Sequence, residues 1–291
     1  MFTDNWPLVA FTLLVQTSVG LLIVGEVCNL AGGAATRGLF RFREPVALLF
    51  GLAGLGFSFE HLGTPAHSPF AIMNLATSWL SREILFTGAF IGCLAALTVL
   101  RRALPGGLSR ALALLTVLLG VASVFAMTKV YAIPTVPAWN SPATLLNFAG
   151  TTMLMGALAT GLLASFRWSG AAAVDERASV ARVTAVLLGF LVVGLAAKFV
   201  EIPMSLVAGA DENARGVSAL SEVMAAGIGL FATRLVLLVI GVALFAPVAI
   251  LAARGSIVRF GTLGTFAFLF TLAGEVLGRM EFFRMQVLFG L

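Results

Sequence analysis

The groups in this chain able to move protons are few, and most of them sit in apolar surroundings. His61 and His67 are its two histidines, and His61 follows directly on Glu60. Further on come Arg82 and Glu83, then Lys129, Tyr131, Lys198, Glu201, Arg234, Glu275 and Arg279, each at or near the end of a long apolar stretch. An imidazole exchanges protons near neutral pH, and a nearby carboxylate can hold the ring and pass the proton on. His61 and Glu83 end and begin consecutive apolar stretches, so they can face one another although they are far apart in sequence.

Metal chemistry is poorly provided for. An iron–sulfur cluster usually takes four thiolates, and the protein has only Cys28 and Cys93. A bis-histidine haem needs imidazoles projecting from facing helices, whereas both histidines belong to one helix end and the loop after it. We therefore expect no haem, no iron–sulfur cluster and no metal site in this protein, and the cysteines imply no disulfide framework. What remains is chemistry on a proton-carrying organic ligand. Oxidation of a quinol removes two electrons and two protons, and His61 beside Glu83 suits that task. Taken alone, His61 reads first as a structural residue at a membrane interface.

The elements that position these groups follow from composition. Of the 291 residues 60% are hydrophobic and 11% charged, against about 25% charged in soluble domains, and mean hydropathy is +1.05. Helices apolar on every face belong in lipid or against each other. A span needs roughly 20 apolar residues, and eight stretches qualify: 8–30, 45–61, 83–100, 111–131, 144–165, 180–201, 232–252 and 260–279. The fold expected is an all-α bundle of about eight transmembrane helices, one membrane domain over 1–291 without a convincing internal repeat. The start, Met1 to Pro7, lacks the basic region of a cleavable signal, so the first stretch is expected to be a true span. The longest connection is expected at 202–231, its 217–231 part adding a short interfacial helix.

Charge sets the orientation. The connections 31–44, 101–110, 166–182 and 253–259 hold 11 of the 18 basic residues. The positive-inside rule places them in the cytoplasm and both termini outside. That rule also explains the net charge of +5 without nucleic acid, which we do not expect as a partner. On this topology Glu60, His61, Arg82, Glu83, Lys129, Tyr131, Lys198, Glu201, Arg234, Glu275 and Arg279 all fall in the outer half, and only Glu26 lies near the inner end. A single helix-end charge is often a snorkelling anchor. Clustering on one side suggests a polar pocket or docking surface. The loop 61–69 leads through Asn74 to Trp79, and the loop 131–140 holds Trp139. Both are stiffened by proline and carry tryptophan suited to the interface, and they read either as the pocket's roof or as ordinary interfacial turns.

Several blocks resemble a known family. They are Trp6-Pro7-Leu8, His61-Leu62-Gly63-Thr64-Pro65, Ser81-Arg82-Glu83-Ile84, Val130-Tyr131 with Thr135-Val136-Pro137-Ala138-Trp139, and Gly274-Glu275-Val276-Leu277-Gly278-Arg279. In this order, across eight spans, they resemble the haem-free membrane-anchor subunit of the dimethyl sulfoxide reductase family, which accompanies a molybdenum catalytic subunit and an iron–sulfur subunit. The resemblance implies a multi-pass protein of the bacterial inner membrane that binds menaquinol or ubiquinol at its outer face. His61 and Glu83 take the acid–base roles, and Arg82 and Tyr131 are added as lining candidates from position and chemistry. Similar anchors serve sulfite-oxidising complexes, and a plain anchor without a quinone site is the blander reading. A secondary transporter would show broken helices and related halves, and neither is legible. Glu275 and Arg279, four apart on one helix face, are expected either to line the site or to form a structural ion pair.

Overall fold

The computed structural model of this protein describes residues 5–61, 72–136, 138–167, 174–213, 219–253 and 260–284. Nearly all of them lie in eight long helices: α1 (Trp6–Gly32), α2 (Arg43–His61), α3 (Trp79–Leu100), α4 (Gly106–Val130), α5 (Pro142–Arg167), α6 (Val174–Asn213), α7 (Ala219–Ala253) and α8 (Phe260–Arg284). There is no strand among the described residues. Each helix contains a stretch long and apolar enough to cross a bilayer, which is the all-α, eight-span bundle the composition predicts. Leu49, Val99, Leu114, Leu118, Val192, Ile228 and Phe266 point outward and exposed, as side chains facing lipid should.

The expected long connection at 202–231 is wrong. Helix α6 continues to Asn213 and α7 already begins at Ala219, so among the described residues 202–213 belong to the one helix and 219–231 to the other. At about 1.5 Å per residue the 40 residues of α6 reach well beyond a hydrocarbon core of about 30 Å. Hydropathy marks where lipid ends, but a helix satisfies its own backbone bonds and need not end there.

Packing builds the bundle from hairpins. Helix α1 packs on α2, α3 on α4, α5 on α6 and α7 on α8, and α1 and α5 lie together at the centre. Their spans are the most enclosed, 78% and 67% buried, against 22–44% for the other six. The central contact is backbone against backbone. A Cβ built on Gly20 would overlap the Thr152 carbonyl oxygen, and one on Gly156 would lie 2.6 Å from Gly20 Cα. No larger residue fits either position. The two four-helix sets, α1–α4 and α5–α8, pair in the same order, a structural repetition that the sequence does not display.

Polar side chains tie neighbouring helices within the apolar mass. Ser18 Oγ donates to the Ala47 carbonyl at 2.6 Å, joining α1 to α2, and the Thr87 and Ser123 hydroxyls meet at 2.6 Å, joining α3 to α4. After α1 the backbone turns at Gly33, whose φ of 67° is open to glycine. A 3-10 segment (Ala34–Phe40) then leads into α2 with Phe40 fully buried.

Candidate functional site

Because the helices alternate in direction, the start of odd-numbered helices and the end of even-numbered ones share one face of the bundle. Most of the buried charge collects towards that face, chiefly among α5–α8. Lys198 of α6 is completely buried, and its Nζ donates to Asn147 Oδ1 at 2.8 Å, Thr151 Oγ1 at 2.7 Å and Glu275 Oε2 at 2.8 Å. Three donors and three acceptors leave the ammonium satisfied. The Thr151 hydroxyl in turn donates to Glu275 Oε2 at 2.7 Å. One turn on from Lys198, Glu201 Oε1 accepts from Asn147 Nδ2 at 3.1 Å and from Arg234 Nη2 of α7 at 2.5 Å. Arg234 also reaches Glu281 Oε2 at 3.5 Å. Unpaired, any of these charges would be prohibitive in a bilayer; paired and hydrogen-bonded, they clamp four helices together.

The glycines of the Gly274–Arg279 block gain a physical reason here. A Cβ on Gly278 would overlap Arg234 Nε, and one on Gly274 would sit 3.0 Å from the Arg234 carbonyl oxygen. Both glycines let α7 and its buried arginine lie directly against α8.

Arg279 does not form the ion pair with Glu275 that their spacing allows; Glu275 pairs with Lys198 instead. Arg279 turns away towards α1, where its Nη2 donates to Gln16 Oε1 at 3.0 Å. Its guanidinium lies 3.8 Å over the ring of Phe148. On an α-helix two residues four apart share a face but not necessarily a partner, and here a third helix supplies the closer one.

Beside Arg279 stands a cluster of aromatic rings. Tyr131 packs edge-on against Trp139 at 5.3 Å and Phe282 at 5.2 Å, and also meets Phe148 and Phe283. Trp139 stacks on Phe282 at 5.1 Å and donates its indole N–H to the Phe282 carbonyl at 2.8 Å. The connection from α4 to α5 is thereby fastened to the end of α8. Burial pushes the Tyr131 phenol above its ordinary pKa, Glu83 raises it further and Arg279 opposes them. Tyr131 thus lies within electrostatic reach of both charges.

Glu83, in the first turns of α3, is buried and makes no ion pair among the described residues. Arg82 faces the other way. Its Nε and Nη2 donate to the carbonyls of Leu75 and Ala76 at 2.9 and 2.7 Å, and its guanidinium lies 4.3 Å over Trp79. It holds the segment before α3 in place. Glu83 lies near the start of α3 and Tyr131 follows the end of α4, which packs on α3. The two therefore lie at the same end of that hairpin, while the Arg82 fork serves the segment before α3. The backbone of His61 ends α2, which packs on α3, while the His61 side chain and all of His67 lie outside the described residues. Lys129 is exposed, over the ring of Phe125.

Gln16, Asn147, Thr151 and Glu281 join the polar interior although the reading of charge and motif does not single them out. Their signal is present in the sequence: Gln16, Asn147 and Thr151 are polar residues inside spans, and a buried amide needs partners. At the opposite face a second network gathers Glu26, Arg43, Glu44 and Arg101. Arg43 Nη2 reaches Glu26 at 2.7 Å and Glu44 at 3.0 Å, and Arg101 Nη1 reaches Glu26 at 2.8 Å and also Glu44. Glu26 is therefore not alone at that end.

Comparison with known proteins adds to this geometry. Residues 2–291 match the family model described as DMSO reductase anchor subunit (DmsC). The protein is similar to the anaerobic dimethyl sulfoxide reductase subunit YnfH of Escherichia coli K12, 36% identical over 174 residues, which is 56% of this sequence and 59% of that one. It is similar to the C subunit of anaerobic dimethyl sulfoxide reductase from Haemophilus influenzae Rd, at 30% over 155 residues, 52% of this sequence and 55% of that one. The corresponding C subunit of Escherichia coli K12 is 34% identical over 167 residues, 55% of this sequence and 57% of that one. The matched region spans little more than half the length of these curated relatives. No solved structure matches the protein.

Proposed function

We propose a function from one premise: this chain belongs to the family of DMSO reductase anchor subunits. The reading is that it anchors a molybdenum oxidoreductase to the bacterial inner membrane and carries the site where quinol is oxidised. The observation that supports the site is Glu83, a buried carboxylate without a cationic partner among the described residues, at the same end of the α3–α4 hairpin as Tyr131 and on the helix that packs against the one ending in His61. A carboxylate in apolar surroundings is suited to taking up a proton. The other buried carboxylates among the described residues, Glu44, Glu201, Glu275 and Glu281, each have an arginine or a lysine.

In this reading His61 hydrogen-bonds one hydroxyl of menaquinol or ubiquinol and accepts its proton, Glu83 receives protons for release, and Tyr131 lines the ring. Arg82 shapes the entrance through its bonds to the preceding loop. Two electrons leave for an iron–sulfur subunit docked on the same face, which hands them to the molybdenum catalytic subunit. Both termini and the site lie outside the cytoplasm, so protons and electrons leave on one side and the step is not electrogenic.

The test is binding of a fluorescent quinol analogue to membranes holding the assembled complex, together with the rate of quinol oxidation. Wild type, His61→Ala and Glu83→Gln are compared, with partner assembly checked in parallel. Loss of binding in His61→Ala and of quinol oxidation in Glu83→Gln, with assembly intact, supports the site. Unchanged tight binding and oxidation in both removes His61 and Glu83 from it, and no binding in wild type leaves a plain anchor.

A further inference from the structure

Among the described residues the buried cations have carboxylates, with one exception. Lys198 has Glu275, Arg234 has Glu201 and Glu281, and Arg43 has Glu26 and Glu44. Arg279 is 2% exposed and makes no ion pair among the described residues. The charges of its neighbourhood balance as a group, yet Arg234 takes two carboxylates and Arg279 none. Its side-chain hydrogen bond goes to a neutral amide, Gln16, itself wholly buried.

That arrangement leaves two donors over. Arg279 Nη1 and Gln16 Nε2 are both buried and without a hydrogen-bond partner, and they belong to two side chains already joined at 3.0 Å. A buried N–H without an acceptor is costly, and a charged one more so. Two adjacent donors, one of them cationic, fit an oxygen acceptor with negative character supplied from outside the protein. The rings of Phe148 and Phe282 stand next to Arg279, and Tyr131 and Trp139 pack on them in turn. Tyr131 packs on Phe148 and Phe282, which Arg279 also meets. It follows the end of α4, against which α3 packs with Glu83 near its start, so the carboxylate and the guanidinium lie at the same end of the bundle.

We propose that Arg279 and Gln16 form an oxygen subsite for the quinol head group, donating to one ring oxygen while His61 and Glu83 serve the other. The proposal rests on the quinol reading above. The positive, double-donor subsite binds one ring oxygen and orients the ring so that the hydroxyl opposite meets the acid–base pair, which takes up its proton. An ordered water is the other source of such an oxygen, and the test separates the two.

The decisive variant is Gln16→Glu, which gives Arg279 a counter-ion where the amide now sits and so preserves the packing while removing the free positive charge. The probe is a fluorescent alkyl 4-hydroxyquinoline N-oxide, whose oxygen is an anionic acceptor, titrated into membranes bearing the assembled complex. Gln16→Glu and Arg279→Gln are expected to weaken probe binding about ten- to a hundredfold, the range for losing a charge-assisted hydrogen bond. They are also expected to raise KM for quinol more than they lower kcat, with partner subunits still bound. Arg279→Lys, which keeps charge but not the fork, is expected to recover part of the affinity. Wild-type affinity in both Gln16→Glu and Arg279→Gln, with His61→Ala losing it, overturns the subsite and leaves the quinol reading standing, the donors then being held by water. A wild type that does not bind the probe overturns both.

Discussion

Replacing Lys198 by methionine isolates what the buried network contributes to the bundle. The ammonium is completely buried and Glu275 is 1% exposed, so the substitution leaves a carboxylate in the protein interior with the Thr151 hydroxyl, at 2.7 Å, as its remaining direct hydrogen-bond donor. It also removes the donor to Asn147 Oδ1. Breaking a buried pair from one side costs about 3–5 kcal/mol, whereas replacing both partners together is often close to neutral. The expected order of stability is wild type, then the double variant Lys198→Met with Glu275→Gln close behind, then either single variant well below. Each single variant strands one charge, while the double variant strands none. The coupling energy should exceed about 2 kcal/mol, roughly a thirtyfold effect on the unfolding equilibrium. Unfolding of the purified protein in mixed micelles of increasing denaturing detergent, followed by tryptophan fluorescence, measures all four forms. Single-variant costs that simply add in the double variant would refute the idea that the two charges hold each other.

Three further outcomes follow from the packing and from the one tyrosine. Gly20→Ala drives a methyl into the Thr152 carbonyl, whereas Gly88→Ala meets nothing within 4 Å. Thermal melts in detergent should show the first losing at least about 1–3 kcal/mol and the second unharmed; equal stability would contradict the central backbone contact. Trp139→Phe keeps an aromatic ring but removes the indole donor to the Phe282 carbonyl, an expected loss of about 1–3 kcal/mol for the buried acceptor, read as faster proteolysis of the connection from α4 to α5. Tyr131 is the protein's single tyrosine, so its phenolate absorbance in the near ultraviolet reports it alone. Its raised pKa means the folded protein should show no phenolate until well above the ordinary value of about 10, with ionisation appearing at once on unfolding. Stability from this group is fully present below the unfolded pKa of about 10 and declines as pH rises from there towards the folded value. Titration at the ordinary tyrosine value in the folded state would place the ring in water.

Hydropathy makes the eight spans legible because lipid demands apolar faces all round, and the spans' charged residues are legible for the same reason, each being an exception to it. What the sequence does not assign is partnership. Glu275 and Arg279 are four apart on α8, and the local rule pairs them; the structure instead gives Glu275 to Lys198 of α6 and Arg279 to Gln16 of α1. Gln16 sits in the middle of strongly apolar surroundings and has no charge to mark it, although an amide in a span needs partners as much as an ion does. The helical continuation through 202–213 is invisible to hydropathy, which reads the solvent and not the backbone. Arg82 is marked by its place in a motif, and the motif is silent on direction: its fork serves the carbonyls of Leu75 and Ala76.

The contrast between the two polar ends carries the functional argument furthest. At one face Glu26, Arg43, Glu44 and Arg101 form a ring of two carboxylates and two guanidiniums in which each charge touches both opposite ones. In that ring every charge has its counter-ions, and it locks α1, α2 and the end of α3. At the other face the pairing is incomplete, with Glu83 lacking a cation and Arg279 lacking an anion among the described residues, both near Tyr131. A bilayer protein gains no stability from burying a carboxyl group and a guanidinium apart, each without a partner, since bringing them together would satisfy both. Their separation is what a site needs if it must hold a ring between a proton acceptor and an oxygen donor. Replacing the acceptor by Glu83→Gln, which retains shape but cannot take up a proton, should therefore abolish proton uptake while leaving Arg279 to hold the ligand. A quinol analogue that still binds this variant but is no longer oxidised would assign the two roles separately, and equal loss of binding from either end would mean that they act as one.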